Sequence, residues 1–100
     1  MKSPFPRSTY ERNAGVYRLL ANPKRLEILN MIKHRERPVE EMVRALGIPK
    51  ANISQHLAVL RHARLVSTRR NGLNVYYKLI DPRIVEPCRI LHHLRRRKVI

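Results

Sequence analysis

"VEEMVRALGIPKANISQHLAVLR", residues 39–61, decides the fold. Val39 to Leu46 reads as a short helix. Glu40 and Glu41 lie near its positive N-terminal end, and Met42, Val43 and Leu46 form its apolar side. Gly47 reads as the helix C-cap, and Pro49 opens a second helix. The two helices meet across Gly47-Ile48-Pro49, a three-residue turn containing glycine, which is the spacing of a helix-turn-helix. On the second helix Ile53, Leu57 and Leu60 share one face. Ala51, Gln55, Ala58 and His62 share the opposite one, flanked by Asn52, Ser54 and Arg61. This outer face combines small side chains, amides and a hydroxyl, and contains no acid.

Such a face suits the edges of bases. Asn and Gln can pair bidentately with adenine, Ser can donate or accept, and alanine allows close approach. Contacts to a major groove come mostly from the N-terminal part of a recognition helix. That places Lys50, Asn52, Ser54 and Gln55 as readers, with Ala51 against a thymine methyl. Arg61 and His62, at the far end, suit phosphate. The plain alternative is an ordinary solvated helix surface. His56 lies at the edge of the apolar face and is expected to pack and hydrogen-bond in the core rather than to read bases.

After Ala63 the period changes. "LVSTRRNGLNVYYKLI", residues 65–80, holds two β-rich runs around Asn71-Gly72, the strongest short hairpin signal. Val66, Thr68 and Arg70 share one face of the first run, and Val75, Tyr77 and Leu79 share a face of the second. Of the adjacent Tyr76 and Tyr77, one should enter the core. A hairpin directly after a recognition helix is a wing. Arg69, Arg70, Asn71 and Asn74 lie near its tip, where arginines grip phosphates or enter a minor groove. The alternative for at least one of the two arginines is an ion pair with a surface acid.

Upstream, residues 1–7 carry two prolines without periodicity and read as a flexible arm. Residues 8–97 form one domain. Ser8 with Glu11 fits a capping box, which starts a helix at Thr9. Tyr10, Ala14, Tyr17 and Ala21 recur at helical spacing, with Leu20 beside them. Asn22 can cap a second helix with Pro23 at its first position, and Leu26, Ile28, Leu29 and Ile32 are its apolar side. "HRER", residues 34–37, is a polar break. Asp81-Pro82 looks like a last helix start, with Ile84, Cys88 and Leu91 on one face. Pro87 requires either a kink or a regular helix beginning near it. The basic end "LRRRKVI", residues 94–100, is expected to fray.

The formal net charge is +15, from 22 Lys and Arg against 7 Asp and Glu in 100 residues. An excess of this size is tolerated when the partner is a polyanion. No apolar run reaches the roughly 20 residues of a membrane span, and the first ten residues lack a signal-peptide core, so a cytoplasmic location is expected. A single cysteine, Cys88, excludes an internal disulfide. No phosphate loop, nucleophile triad or paired carboxylate is present, so no catalytic site, enzyme activity or cofactor is expected.

The chain resembles the ArsR/SmtB family of winged-helix repressors. "LANPKRLEIL", "ALGIPKANISQHLAVLRHARLV" and "RRNGLNVYYKL" match the family pattern in order and spacing, over about residues 16–82. The resemblance implies a mostly α fold with a small β-hairpin wing, in the order α-α-α-α-β-β-α. It also implies a homodimer built on the first and last helices, which repress by blocking a promoter until an inducer binds. Tyr10, Ala14, Tyr17, Ile84, Cys88 and Leu91 are the expected dimer-interface residues.

Two metal sites that the resemblance implies do not fit. The Cys-Val-Cys run of the third helix is Pro38, Val39 and Glu40 here. The Asp, His, His and Glu of the last helices are Asp81, Arg83, Leu94 and Arg97. No metal is therefore expected at either. What remains for a sensor is Cys88, with His92 four residues on and on the same helix face. Three readings stay open: Cys88 packs in the dimer interface, Cys88 and His92 of two copies hold an ion, or Cys88 is an oxidisable thiol. The sequence thus predicts a repressor that binds an inverted-repeat operator in double-stranded DNA, and the alternative is a non-specific architectural DNA-binding protein.

Overall fold

Five helices and a three-stranded sheet follow the expected order, with one added strand. The structure, a computed structural model, describes residues 1–100. Helix α1 spans Arg7–Leu20 and α2 spans Pro23–Met31. Strand β1 is Arg37–Pro38, α3 is Val39–Leu46 and α4 is Lys50–His62. The wing is β2, Val66–Asn71, and β3, Asn74–Leu79. A 3₁₀ turn over Pro82–Val85 leads into α5, Glu86–Arg96.

Helix α1 starts earlier than Ser8 and Glu11 suggest. Pro6 is its N-cap, with no side-chain capping bond, so the expected capping box does not form. The proline already fixes the entry dihedral at φ −60°, and Ser8 falls inside the first turn rather than at the cap position. Residues before the helix contact it: the Phe5 ring stands edge-on to Tyr10, centroids 6.0 Å apart, and Ser3 hydrogen-bonds the Tyr10 hydroxyl.

Helix α2 starts as expected. The Arg25 amide donates to Asn22 Oδ1 at 3.1 Å, and Pro23 stands in the first turn. The polar break that follows ends in β1, a strand with no signature in the sequence. Arg37 pairs opposite Tyr77 and Pro38 opposite Tyr76, giving the sheet order β1-β3-β2. A two-residue strand has no period to detect, and its partner lies about forty residues away in the chain.

Helices α3 and α4 join as read. Gly47 takes φ +65°, the left-handed conformation that glycine adopts without a Cβ clash. In the hairpin the turn is shifted by one residue from Asn71-Gly72. Asn71 still pairs with Asn74, so the loop is Gly72-Leu73, with the positive φ at Gly72. That matches a glycine-first two-residue turn.

Pro87 does not kink α5. The regular helix begins at Glu86, so Pro87 occupies the first turn, where its missing N–H has no partner to lose. The basic end, expected to fray, closes α5 in a Schellman motif. Lys98 adopts φ 60°, its N–H donates to Arg95 O at 2.9 Å, and the Val99 N–H donates to Leu94 O at 2.9 Å.

Twelve residues are buried, all apolar. Ile28, Leu29 and Ile32 come from α2 and its end, Val39 and Met42 from α3, and Ile53, Leu57 and Leu60 from α4. Leu65, Val66, Leu79 and Val85 close the base of the wing. The Leu79 amide donates to Ile32 O at 3.0 Å, so the sheet is tied to the end of α2. Helices α1 and α5 contribute no fully buried residue.

Candidate nucleic-acid interface

The core sets the orientation of α4. With Ile53, Leu57 and Leu60 at or near zero exposure, the helix cannot rotate without opening the core. Lys50, Ala51, Asn52, Gln55, Ala58, Arg61 and His62 are therefore turned outward and exposed, with Ser54 half-buried at the edge. No side chain caps the N-terminus of this helix. His56 packs as expected. Its Nδ1 accepts from Arg25 Nε at 3.2 Å, while an Arg25 terminal nitrogen donates to Leu19 O at 3.2 Å. Burial first, and the Arg25 charge second, lower the His56 pKa from its ordinary value.

The outer face contains no acid in α4 itself, but the fold brings one to it. Glu40, from the first turn of α3, accepts from Lys50 Nζ at 3.3 Å. Its pKa is lowered by a hydrogen bond from its own backbone first and by Lys50 second. Glu40 and Lys50 line a cleft of about 210 Å³ with Ser54, Asn74, Val75 and Tyr77. The wing and the recognition helix therefore frame one groove. Leu73, at the tip, is fully exposed and also lines it. Nothing in the sequence marks Leu73, because the Asn71-Gly72 signal puts the turn one residue earlier.

The two wing arginines separate. Arg70 pairs opposite Val75, on the face that carries Tyr77 and lines the cleft. Arg70 and Arg61 belong to none of the six ion pairs. Arg69 points to the other face. It forms a bidentate pair with Glu36, its Nε 2.9 Å and a terminal nitrogen 2.6 Å from Oε1, and its guanidinium stands 4.7 Å from the Tyr76 ring centroid. Arg69 thus follows the ion-pair alternative. The pair lowers the Glu36 pKa and raises that of Arg69, in both cases chiefly through the side-chain hydrogen bond. Glu36 and Tyr76 carried no signal of this in sequence, because the contact spans 33 positions.

Four of the six expected interface residues converge. Tyr17, Ile84, Cys88 and Leu91 line an apolar cleft of about 370 Å³ with Leu20, Leu26, Val85 and Pro87. Ala14 and Tyr10 lie elsewhere on α1, and Tyr10 is occupied by Phe5 and Ser3. Cys88 is half-buried and His92 is exposed on the same helix. No three His, Cys, Asp or Glu residues of one chain converge on a point that could hold a metal. Asp81 caps the 3₁₀ turn through the Arg83 amide at 2.9 Å and accepts from the Arg83 guanidinium at 2.7 Å. Those bonds, the side-chain ones foremost, lower its pKa to about 2.

Comparison with known proteins agrees with this geometry. Residues 22–68 match the model of "Bacterial regulatory protein, arsR family". The HTH-type transcriptional regulator KmtR of Mycobacterium tuberculosis is 45% identical over 64 residues, 64% of this chain and 49% of that protein. The uncharacterised HTH-type regulator Rv0081 of the same species is 37% identical over 78 residues, 77% of this chain and 68% of its own. The chain belongs to the ArsR family. The match spans about half the length of KmtR. The crystal structure of Rv0081 superposes with a TM-score of 0.74 at 31% identity, covering 98% of this chain and 95% of that one. The domain of Mb0332 from Mycobacterium bovis, described as a homodimeric winged helix-turn-helix DNA-binding domain, superposes at 0.77 with 28% identity, covering 94% and 90%. This ArsR-family chain accordingly has the winged-helix fold of the transcriptional regulators it is similar to.

Proposed function

We propose that this ArsR-family regulator binds an inverted-repeat operator as a homodimer and represses by occluding the promoter beneath it. The observation that carries the reading is the outward face of α4. It is polar, exposed and locked in orientation by Ile53, Leu57 and Leu60, and the wing stands beside it. Asn52, Ser54 and Gln55 read base edges, with Ala51 against a thymine methyl. Lys50, turned toward Glu40 at the side of the groove rather than placed among the readers, contacts the backbone with Arg61, His62, Arg70, Asn71 and Asn74. The second copy covers the apolar cleft of Tyr17, Ile84, Cys88 and Leu91, which sets two recognition helices about 34 Å apart, one helical turn of DNA. The protein acts in the cytoplasm, where its DNA lies. Residues 8–97 make up the DNA-binding and dimerisation domain.

Competition tests this reading. A labelled duplex from the DNA upstream of its own gene should be retained against excess random-sequence duplex. If random DNA displaces it equally well, the protein is a non-specific architectural one. Gln55→Ala should weaken operator binding and leave the dimer intact; unchanged affinity would remove Gln55 from the readers. Cys88, with His92 one turn on, is the side chain through which an oxidant or a thiophilic metal would release the operator. A release that survives Cys88→Ser would eliminate the thiol.

A further inference from the structure

We infer that Arg69 is a positioning residue that sets the angle of the wing, and that Arg70 alone of the adjacent pair reaches DNA. This rests on the DNA-binding reading above and refines it. The strand register puts the two side chains on opposite faces of the sheet. Arg70 shares its face with Val75 and Tyr77, which look into the cleft beside Lys50 and Ser54. Arg69 shares the other face with Tyr76. From β2 it crosses over the Tyr76 ring of β3 and ends on Glu36, the residue immediately before β1. The side chain is therefore a strap across all three strands.

The sheet needs such a strap. An isolated two-stranded hairpin is marginal in water, and β1 supplies only two residues to the third strand. Planar guanidinium recognition of a carboxylate, with a ring beneath it, fixes direction as well as distance. The other acid near the interface makes the contrast. Glu40 holds Lys50 through one contact at 3.3 Å, with both side chains more than half exposed. That pair can exchange for a phosphate at little cost. Arg69 would have to give up three hydrogen bonds to Glu36 and the Tyr76 ring together. A DNA-contacting Arg69 and a positioning Arg69 also predict opposite signs when Glu36 is neutralised.

The test measures affinity against salt concentration for a duplex from the DNA upstream of its own gene, together with amide exchange in residues 67–78. Arg70→Ala should lower the slope of log affinity against log salt by about one, the loss of one phosphate contact. Glu36→Gln and Arg69→Ala should weaken binding about three- to tenfold with the slope unchanged and speed exchange in the wing. The charge swap, Glu36→Arg with Arg69→Glu, should recover most of the affinity and the protection. Tighter binding by Glu36→Gln, a slope lowered by about one in Arg69→Ala, or unchanged wing exchange in both would overturn the proposal. So would a charge swap that abolishes binding. Failure of the unmodified protein to bind any duplex would instead sink the DNA reading. It would be seen before any variant is made, and the exchange measurement would still decide what Arg69 does to the wing.

Discussion

Arg64 holds φ 63° just after α4, in the left-handed region that L side chains rarely adopt. The reason is the ending of the recognition helix. The Arg64 amide donates to Arg61 O at 2.9 Å and the Leu65 amide to Leu60 O at 3.0 Å, which together form a Schellman motif. Leu60 and Leu65 are both buried, so the motif also delivers the chain to the base of the wing. The position asks for glycine, and Arg64→Gly should stabilise the fold by about 1 kcal/mol, read as a higher urea midpoint at unchanged slope. His56 supports a second prediction. Its Nδ1 accepts from Arg25 Nε, which requires a neutral ring, and its pKa lies below the ordinary 6.5. Above that value both folded and unfolded chains hold a neutral imidazole, and the contribution is whole. As pH falls below it, the unfolded chain takes a proton that the folded chain resists, and stability is lost until the lowered folded pKa is passed. The urea midpoint should fall as pH drops below about 6.5, and His56→Gln should flatten that fall. An equal fall in the variant would assign it to other groups.

Among the elements, those with a period or a fixed turn were legible in the sequence, and those made by long-range contact were not. The bounds of α3 and the Gly47 turn follow from local apolar spacing and one glycine, and Pro49, the N-cap of α4, marks where that helix starts. The last helix was half legible. Pro87 demanded a choice, and the structure resolves it by placing a 3₁₀ turn before α5. Strand β1 could not be seen, because its residues are defined only by Tyr76 and Tyr77. The candidate site divides in the same way. The outward residues of α4 follow from its period, whereas the acids that pair with Lys50 and Arg69, Glu40 and Glu36, come from other elements. Glu40 gives the prediction at this scale. It stands beside the groove where phosphates would pass and competes with them for Lys50. Glu40→Gln should tighten DNA binding by about two- to fivefold, most strongly at low salt, in an anisotropy titration. Weaker binding would show that Glu40 positions Lys50 rather than competes for it.

At the scale of the whole molecule, the shape supports the proposed homodimer. The Cα radius of gyration is 15.5 Å, against about 13 Å for a compact chain of this length. The excess lies in an elongated outline of 54 × 34 × 21 Å, with α1 and α5 lacking buried residues while Tyr17, Ile90 and Leu91 stand exposed. An apolar face of that kind is covered by a partner surface when the molecule is assembled. Association must nevertheless overcome charge, since each copy carries +15. That repulsion is screened over a Debye length of about 8 Å at physiological salt, so adding salt should favour the pair. DNA binding must respond in the opposite sense, because salt opposes counterion release. Sedimentation should therefore show the dimer strengthening between about 50 and 200 mM salt, while affinity for the duplex falls by about 10³-fold or more over the same range. Leu91→Glu should leave the helix content intact, give a monomer and remove the high-affinity complex. A monomer that binds the operator as tightly as the unmodified protein would overturn the role of the α1–α5 face in presenting two recognition helices to one duplex.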